Sequence, residues 1–343
     1  MSNNAPIRVN IVSESDVWVK GHGVHTAYDE MATALEARDD VTVIRGEFNK
    51  RVDCDVVHFH TIGSQTFLKL FQRGPKKVIT AHIIPQSYIG SLILAKYWSF
   101  AASWYMGLYY RRGHKVLAVS QTVAKVLRDD LRVPAEKIEV FYNTIDMNQY
   151  TPTESSKKAA RKALNLREDS FIVYGNGQVQ PRKRIDVFIK MARELPDVQF
   201  IWVGGIPFKQ LAADYASMQK MLNDIPSNLL CVGIVPHEEV VTYLHAADVF
   251  CLPAEQENHP MSVLEAAGAG LPLVVRDLPE YDDSFGADVL RCNDDTFTVA
   301  VAKLRDDTAV YREWQDKSAA VAERFDSAAA AERYVDLYRD LIQ

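Results

Sequence analysis

The stretch DVFCLPAEQENHPMSVLEAAGAGLPLVV, residues 248–275, reads as strand, loop, helix and strand in succession. Its outer pieces, DVFCLP and LPLVV, are almost wholly apolar, as strands buried on both faces must be. A polar loop carrying Glu257 runs between them to His259-Pro260, and the helix that follows carries Glu265 and closes on small residues and a Gly-Leu-Pro. The same alternation extends outward in both directions. Towards the C-terminal side of the chain's middle it includes FIVYGNG, VQFIWVGG and NLLCVG. Nearer the N-terminus it includes IRVNIV (7–12), DVVHFH, KKVIT, KVLAV and KIEVFY, with a helical spacing of Val24, Ala27, Tyr28, Met31 and Leu35 after the first of these. Short apolar strands separated by helices imply parallel sheets covered on both faces.

A chain of 343 residues exceeds one ordinary core, so two domains are expected. TPTESSKKAARKA (151–163), polar and with a proline, reads as the linker and entry helix of the second. The alternation restarts after it, giving an α/β chain of two doubly wound units whose ligands bind beyond the carboxyl ends of the strands, in the cleft between domains. The tail SAAAAERYVDLYRDLIQ is a strong helix former with Tyr334, Leu337 and Leu341 on one face. Apolar residues make up 48% and charged residues 24%, a soluble folded composition. The start lacks the basic and apolar regions of a secretory signal, and the four scattered cysteines read as free thiols of a reducing cytoplasm.

The net charge of −6 argues against a nucleic-acid partner but hides an asymmetry. The first 150 residues carry +3 and the remainder −9, and between Asp55 and Asp129 there is no acidic residue against ten basic ones. Within that stretch, residues 86–115 combine aliphatics with Tyr88, Tyr97, Trp98, Trp104, Tyr105, Tyr109 and Tyr110 and end on Arg111-Arg112. Aromatics favour a membrane interface and Lys/Arg favour anionic headgroups, so the segment reads as a membrane-surface element; a core helix that happens to be aromatic is the other reading. Lys96 inside the run argues against a span.

In the opening stretch Pro260 suits a first helical turn, where its missing N–H costs nothing. The amides of Met261, Ser262 and Val263 are then available to an anion, aided by the helix dipole. A carboxylate can accept bonds from two adjacent sugar hydroxyls, so Glu257 and Glu265 could hold two sugars with a diphosphate at the helix start between them. Two unrelated glutamates on a solvated helix would give the same residues. Asp53-Cys54-Asp55 opens a strand and reads as capping or surface. His58 and His60 alternate onto one face, but no third zinc ligand is evident, and no metal site is expected. The turn after the first strand lacks the G-x-G-x-x-G of a nicotinamide enzyme.

Taken together these residues resemble the retaining glycosyltransferases of family 4. The match lies in Glu257, Glu265, Ala266, Ala267, Gly270 and Pro272, in YGNGQVQPRKRIDVFIKMA (174–192), VQFIWVGG (198–205) and VPHEEVVTYLHAADVFCLP (235–253), and in VITAHIIP (78–85) and AVSQTVAKVL (118–127). The resemblance implies a GT-B fold, two Rossmann-like domains facing a central cleft. The N-terminal acceptor domain would span 1–152 and take the crossover helix 327–343; the nucleotide-sugar domain would span 153–326. It also implies roles. Glu257 would hold the donor hexose, Glu265 the ribose, and Lys183 with Arg182 the diphosphate. His82 would lie near the reacting sugar, and Gly21 and Gly23 in VKGHGVHTA (19–27) would let backbone approach the diphosphate. The family usually has Arg after the glycine ending the first strand of the second domain; here Gln178 follows Gly177, so the phosphate clamp rests on Lys183 and Arg182.

GQVQ-x-RK, W-x-G-G and RDL in LVVRDLPEY (273–281) are similar to the bacterial diacylglycerol and glycolipid glycosyltransferases. That implies transfer of glucose or galactose from UDP-glucose or UDP-galactose, with no cofactor, to a (glyco)diacylglycerol by an enzyme peripheral to the inner face of the plasma membrane. A soluble or polysaccharide acceptor, and a non-catalytic sugar-nucleotide or membrane-binding protein, are the alternatives.

Overall fold

The computed structural model describes residues 5–14, 23–88, 95–206 and 215–343. The chain divides into two compact units. The first contains residues up to 87, 96–146 and 325–343, and the second is formed chiefly by 147–324.

The first unit is a six-stranded sheet in the order β2-β1-β3-β4-β5-β6. Its strands are β1 (Ile7–Val12), β2 (Val41–Arg45), β3 (Val56–Phe59), β4 (Lys76–Ala81), β5 (Lys115–Ala118) and β6 (Ile138–Val140). Every pairing is parallel, with Val9 opposite both Val43 and Val56, and His58 opposite Val78. The apolar runs explain the order. β3 is buried along its whole length and sits inside, whereas VTVIR of β2 is buried only at Val41 and forms an edge. The helix Gly23–Glu36 places Ala27, Tyr28, Met31 and Leu35 against the sheet, matching the spacing read from the sequence.

The second unit repeats the design with the order β12-β11-β10-β7-β8-β9. These are β7 (Ile172–Asn176), β8 (Gln199–Val203), β9 (Leu229–Gly233), β10 (Val249–Leu252), β11 (Leu273–Arg276) and β12 (Leu290–Cys292), again all parallel. The chain moves outward from β7 to β9 and then returns to place β10 on the other side of β7. That reversal makes a switch point, so the loops after β7 and β10 leave neighbouring strands at their carboxyl ends and must diverge. Thr153 opens the entry helix Glu154–Ala163 with a reciprocal capping box to Ser156.

The C-terminal helix Ser327–Ile342 belongs to the first unit. Asp326 caps it by accepting from the amides of Ala328 and Ala329. Tyr334 and Leu337 are buried as expected, and Ala331, Val335 and Tyr338 join them in the core of that sheet.

Two strands, β2 and β12, were not legible as strands in the sequence; both are short edges that the solvent half-reaches. The aromatic run corrects one expectation. Tyr109 and Tyr110 of the helix Ala95–Arg111 are fully buried core residues, not interfacial ones. Their hydroxyls donate to the carbonyls of Thr61 and Ile83, and the half-buried Tyr105 donates to those of Ile62 and Gly63. Phe100 and Trp104 face solvent at 83% and 62% exposure, with Leu68 and Phe71 exposed on the neighbouring segment. The side chains of Tyr88, Tyr97 and Trp98 lie outside the described residues. Among the described residues no helix is long and apolar enough to cross a membrane.

Candidate active site

The switch point of the second unit gathers most of the residues singled out in the sequence. The loop leaving β7 turns through Gly177 and the short 3-10 turn Pro181–Lys183, and the loop leaving β10 carries Glu255, Gln256 and Glu257. Lys183 Nζ donates to Glu257 Oε1, and the two side chains are only 11% and 9% exposed. Burial pushes the Lys183 ammonium below its ordinary pKa, and the Glu257 carboxylate pulls it back up. Gly177 packs against that lysine, and its backbone rather than the space around it calls for glycine. At φ +156° it occupies backbone space that side chains avoid, and a Cβ there would lie 3.4 Å from Lys183 Cδ. Gly204, at φ +130°, lies still closer: a Cβ on it would meet the Gly177 carbonyl oxygen at 2.0 Å.

Gln178 stands where a charge was expected, and the structure shows what it does. Its Oε1 accepts from Gln180 Nε2 at 3.0 Å; Gln180 Oε1 accepts from Arg182 Nε at 3.1 Å; Arg182 Nη1 donates to the Gln256 carbonyl at 3.2 Å. The amide of Glu255 donates to the Arg182 carbonyl at 2.8 Å. A relay of amides therefore orients the guanidinium and laces the two loops together. Ion pairs finish the stitching. Arg184, in a left-handed conformation, bonds Asp186, Asp294 and Glu255, and Arg276 also bonds Asp294. Sequence reading missed Gln180, whose partners Gln178 and Arg182 lie two residues away in an irregular loop, and it missed Arg184, Asp294 and Arg276, which are joined across 110 and 18 residues of chain.

The helix Met261–Gly268 begins four residues after Glu257. Pro260 is its N-cap, one position earlier than expected, with φ −74° and ψ 124°. Its carbonyl accepts from the Val263 amide at 3.2 Å, so Val263 is engaged and the amides of Met261 and Ser262 are the helix-start donors left for an anion. Glu265 is not a surface residue. It is 3% exposed and close enough to Tyr174 to help burial raise that phenol's pKa. His259 is equally buried, stacked on Phe285 at 5.1 Å, and burial pushes it down to about 3.

In the first unit His82 follows β4 directly and is half-buried. Its Nε2 lies 3.0 Å from Nδ1 of His60, and burial lowers its pKa to about 4. His58 and His60 share a face as expected. His58 is held by Tyr338 and Thr80, each at 2.7 Å. Gly23 opens the first helix and is exposed, while Gly21 lies outside the described residues. Among the described residues no group of three His, Cys, Asp or Glu is arranged to hold a metal ion.

Two family descriptions match this chain: "Glycosyl transferases group 1" over residues 156–317, and "Glycosyltransferase Family 4" over residues 45–149. The alpha-galactosylglucosyldiacylglycerol synthase of Streptococcus pneumoniae is 30% identical over 97% of this chain and 89% of its own length. The chain belongs to the family 4 glycosyltransferases. The processive diacylglycerol alpha-glucosyltransferase of Acholeplasma laidlawii is 26% identical over 81% of each chain. The crystal structure of Anabaena HepE in complex with UDP and glucose superposes with a TM-score of 0.80 over 98% of this glycosyltransferase and 100% of that chain, at 16% identity. That likeness is one of fold, and with the two parallel sheets it makes the architecture GT-B, as the sequence implied.

Proposed function

We propose that this glycosyltransferase moves glucose or galactose from UDP-glucose or UDP-galactose, with retention of anomeric configuration, onto a diacylglycerol or glycosylated diacylglycerol at the inner face of the plasma membrane. The observation that carries the reading is the buried Lys183–Glu257 pair at the switch point, with Arg182 tied beside it and a helix start four residues on. Cations and helix-start amides suit a diphosphate, whose charge grows as the sugar departs. A buried carboxylate next to them suits the sugar's hydroxyls. Lys183 and Arg182 would take the diphosphate with the Met261 and Ser262 amides, Glu257 the hexose, and Glu265 the ribose. The resemblance gives His82 a place near the reacting sugar, and Gly21 and Gly23 would admit the diphosphate. The resemblance implies that the departing phosphate oxygen takes the acceptor's proton. No redox step or cofactor enters.

The acceptor class is supported by the two relatives, both named for diacylglycerol glycolipids. The exposed quartet Leu68, Phe71, Phe100 and Trp104 supports a membrane surface. It lies in the stretch without a single acidic residue, next to exposed Arg111 and Arg112, and the Arg112 guanidinium sits 4.5 Å over the Phe71 ring. Each basic residue near an anionic surface adds about 1 kcal/mol.

The deciding experiment incubates the protein with each UDP-sugar and with micelles of diacylglycerol or glucosyl-diacylglycerol, and identifies products by mass and anomeric NMR. A new α-glycolipid is expected with one pairing. UDP-sugar binding without any glycolipid product would sink the lipid reading in favour of a soluble acceptor.

A further inference from the structure

His60 has no part in the reading above, yet its ring lies directly against that of His82, at 5.1 Å between centroids. It is 2% exposed, its amide is fixed to the Val12 carbonyl at 2.9 Å, and its ring is wedged between His58 at 4.8 Å and the edge of Tyr28 at 5.6 Å. His58 cannot shift to release it, being held on one nitrogen by Tyr338 and on the other by Thr80. His60 Nδ1 lies 3.0 Å from His82 Nε2, while His60 Nε2 is buried with no hydrogen-bond partner among the described residues.

Burial holds both imidazoles neutral at pH 7, so each carries one proton. Two arrangements satisfy the 3.0 Å contact. If His82 donates, the proton of His60 must sit on Nε2, leaving a buried N–H with nothing to accept it. If His60 donates from Nδ1, its bare Nε2 is only an unused lone pair. Orphaned buried N–H groups are the rarer and costlier fault. We infer that His60 is a positioning residue which donates from Nδ1 to Nε2 of His82 and thereby fixes His82 as its Nδ1–H tautomer. The inference rests on the proposed role of His82 at the transferred sugar. Whatever oxygen His82 meets there, it meets as a donor from Nδ1, and its ring cannot turn without breaking the bond from His60.

The test uses the full-length protein with 15N-labelled histidine. Long-range 1H–15N correlation, assigned with His60→Asn and His82→Asn, is expected to show the His82 proton on Nδ1. Kinetics supply the second arm. In His60→Asn the new side-chain amide nitrogen takes the place of Nδ1 and still donates, so this variant keeps most turnover. His60→Asp can only accept, forces the proton of His82 onto Nε2, and is expected to lower kcat by roughly 10- to 100-fold, the scale of lost outer partners, with KM for the UDP-sugar little changed. A wild-type spectrum with the proton on Nε2 overturns the inference, and so does equal turnover in folded His60→Asn and His60→Asp. Should His60→Asp not fold, the wild-type spectrum decides alone. An Nδ1–H spectrum together with full turnover in His82→Ala upholds the wiring and overturns only the role given to His82.

Discussion

Lys183 and Glu257 place opposite charges where water scarcely reaches, and the consequence differs for stability and for chemistry. Halving such a pair strands the survivor, at about 3–5 kcal/mol, less whatever Lys183 recovers by shedding its proton, which burial already favours. Replacing both members with apolar residues of similar size avoids that penalty. Glu257→Ala is therefore expected to be less stable than Lys183→Met/Glu257→Leu in urea, while all variants that lose either residue lose about 100-fold or more in kcat/KM. A double variant as unstable as the worse single one would refute the stranded-charge account. Gly204 gives a test with no charge in it. Its Cβ would overlap the Gly177 carbonyl oxygen, which itself accepts from Trp202 Nε1 at 3.0 Å. Gly204→Ala is expected to cost about 2–4 kcal/mol, because neither backbone can yield without disturbing the other loop; urea unfolding with an unchanged midpoint would contradict it.

At the scale of elements, the helix Ala95–Arg111 shows what a sequence gives up readily and what it withholds. Residues four apart share a helix face. Phe100 and Trp104 form one such pair and are exposed; Tyr105 with Tyr109 and Met106 with Tyr110 form others and turn inward. The period was available in the sequence, but nothing in the letters said which face the sheet would claim. Replacing Phe100 and Trp104 with Ser is accordingly expected to reduce sedimentation with anionic vesicles by about tenfold and leave thermal stability unchanged, whereas Tyr109→Ala loses about 3–5 kcal/mol of stability. Equal vesicle binding by the double Ser variant would remove this face from the membrane. The central strands were readable because burial on both faces demands unbroken apolar runs; edges tolerate polar residues, and of the four edge strands β6 and β9 were read while β2 and β12 were not. The strand–loop–helix bearing Glu257 and Glu265 was likewise legible from Pro260 and the residues around it. The amide relay from Gln178 to Arg182 was not, because it runs between side chains two residues apart in an irregular loop that no helix or strand period describes, and its last bond, from Arg182 to the Gln256 carbonyl, exists only once β10 returns beside β7.

Across the whole molecule the buried histidines make folding sensitive to mild acid, and the sign follows from which state holds the proton. His58 and His259 are lowered to about 3 and His82 to about 4, all chiefly by burial, against an ordinary value of about 6.5. Between those limits the unfolded chain binds protons that the folded chain refuses, so stability rises with pH through the window. Their contribution is complete above about pH 6.5 and drains away as pH falls towards 4, at up to about 1.4 kcal/mol per histidine per pH unit. Carboxylates held low by arginines, such as Asp40 and Asp294, begin to matter only below that range, which leaves pH 5–6.5 to the histidines. Both units carry a share, with His58 and His82 in the first and His259 in the second. The urea midpoint is therefore expected to fall steadily from pH 7 to pH 5, and His259→Gln should flatten the fall for the second unit alone, whose unfolding can be followed through Trp202 in its core. A midpoint that stays level over those two pH units would mean that the imidazoles take up protons inside the fold, and would remove the reason for treating His60 and His82 as neutral partners.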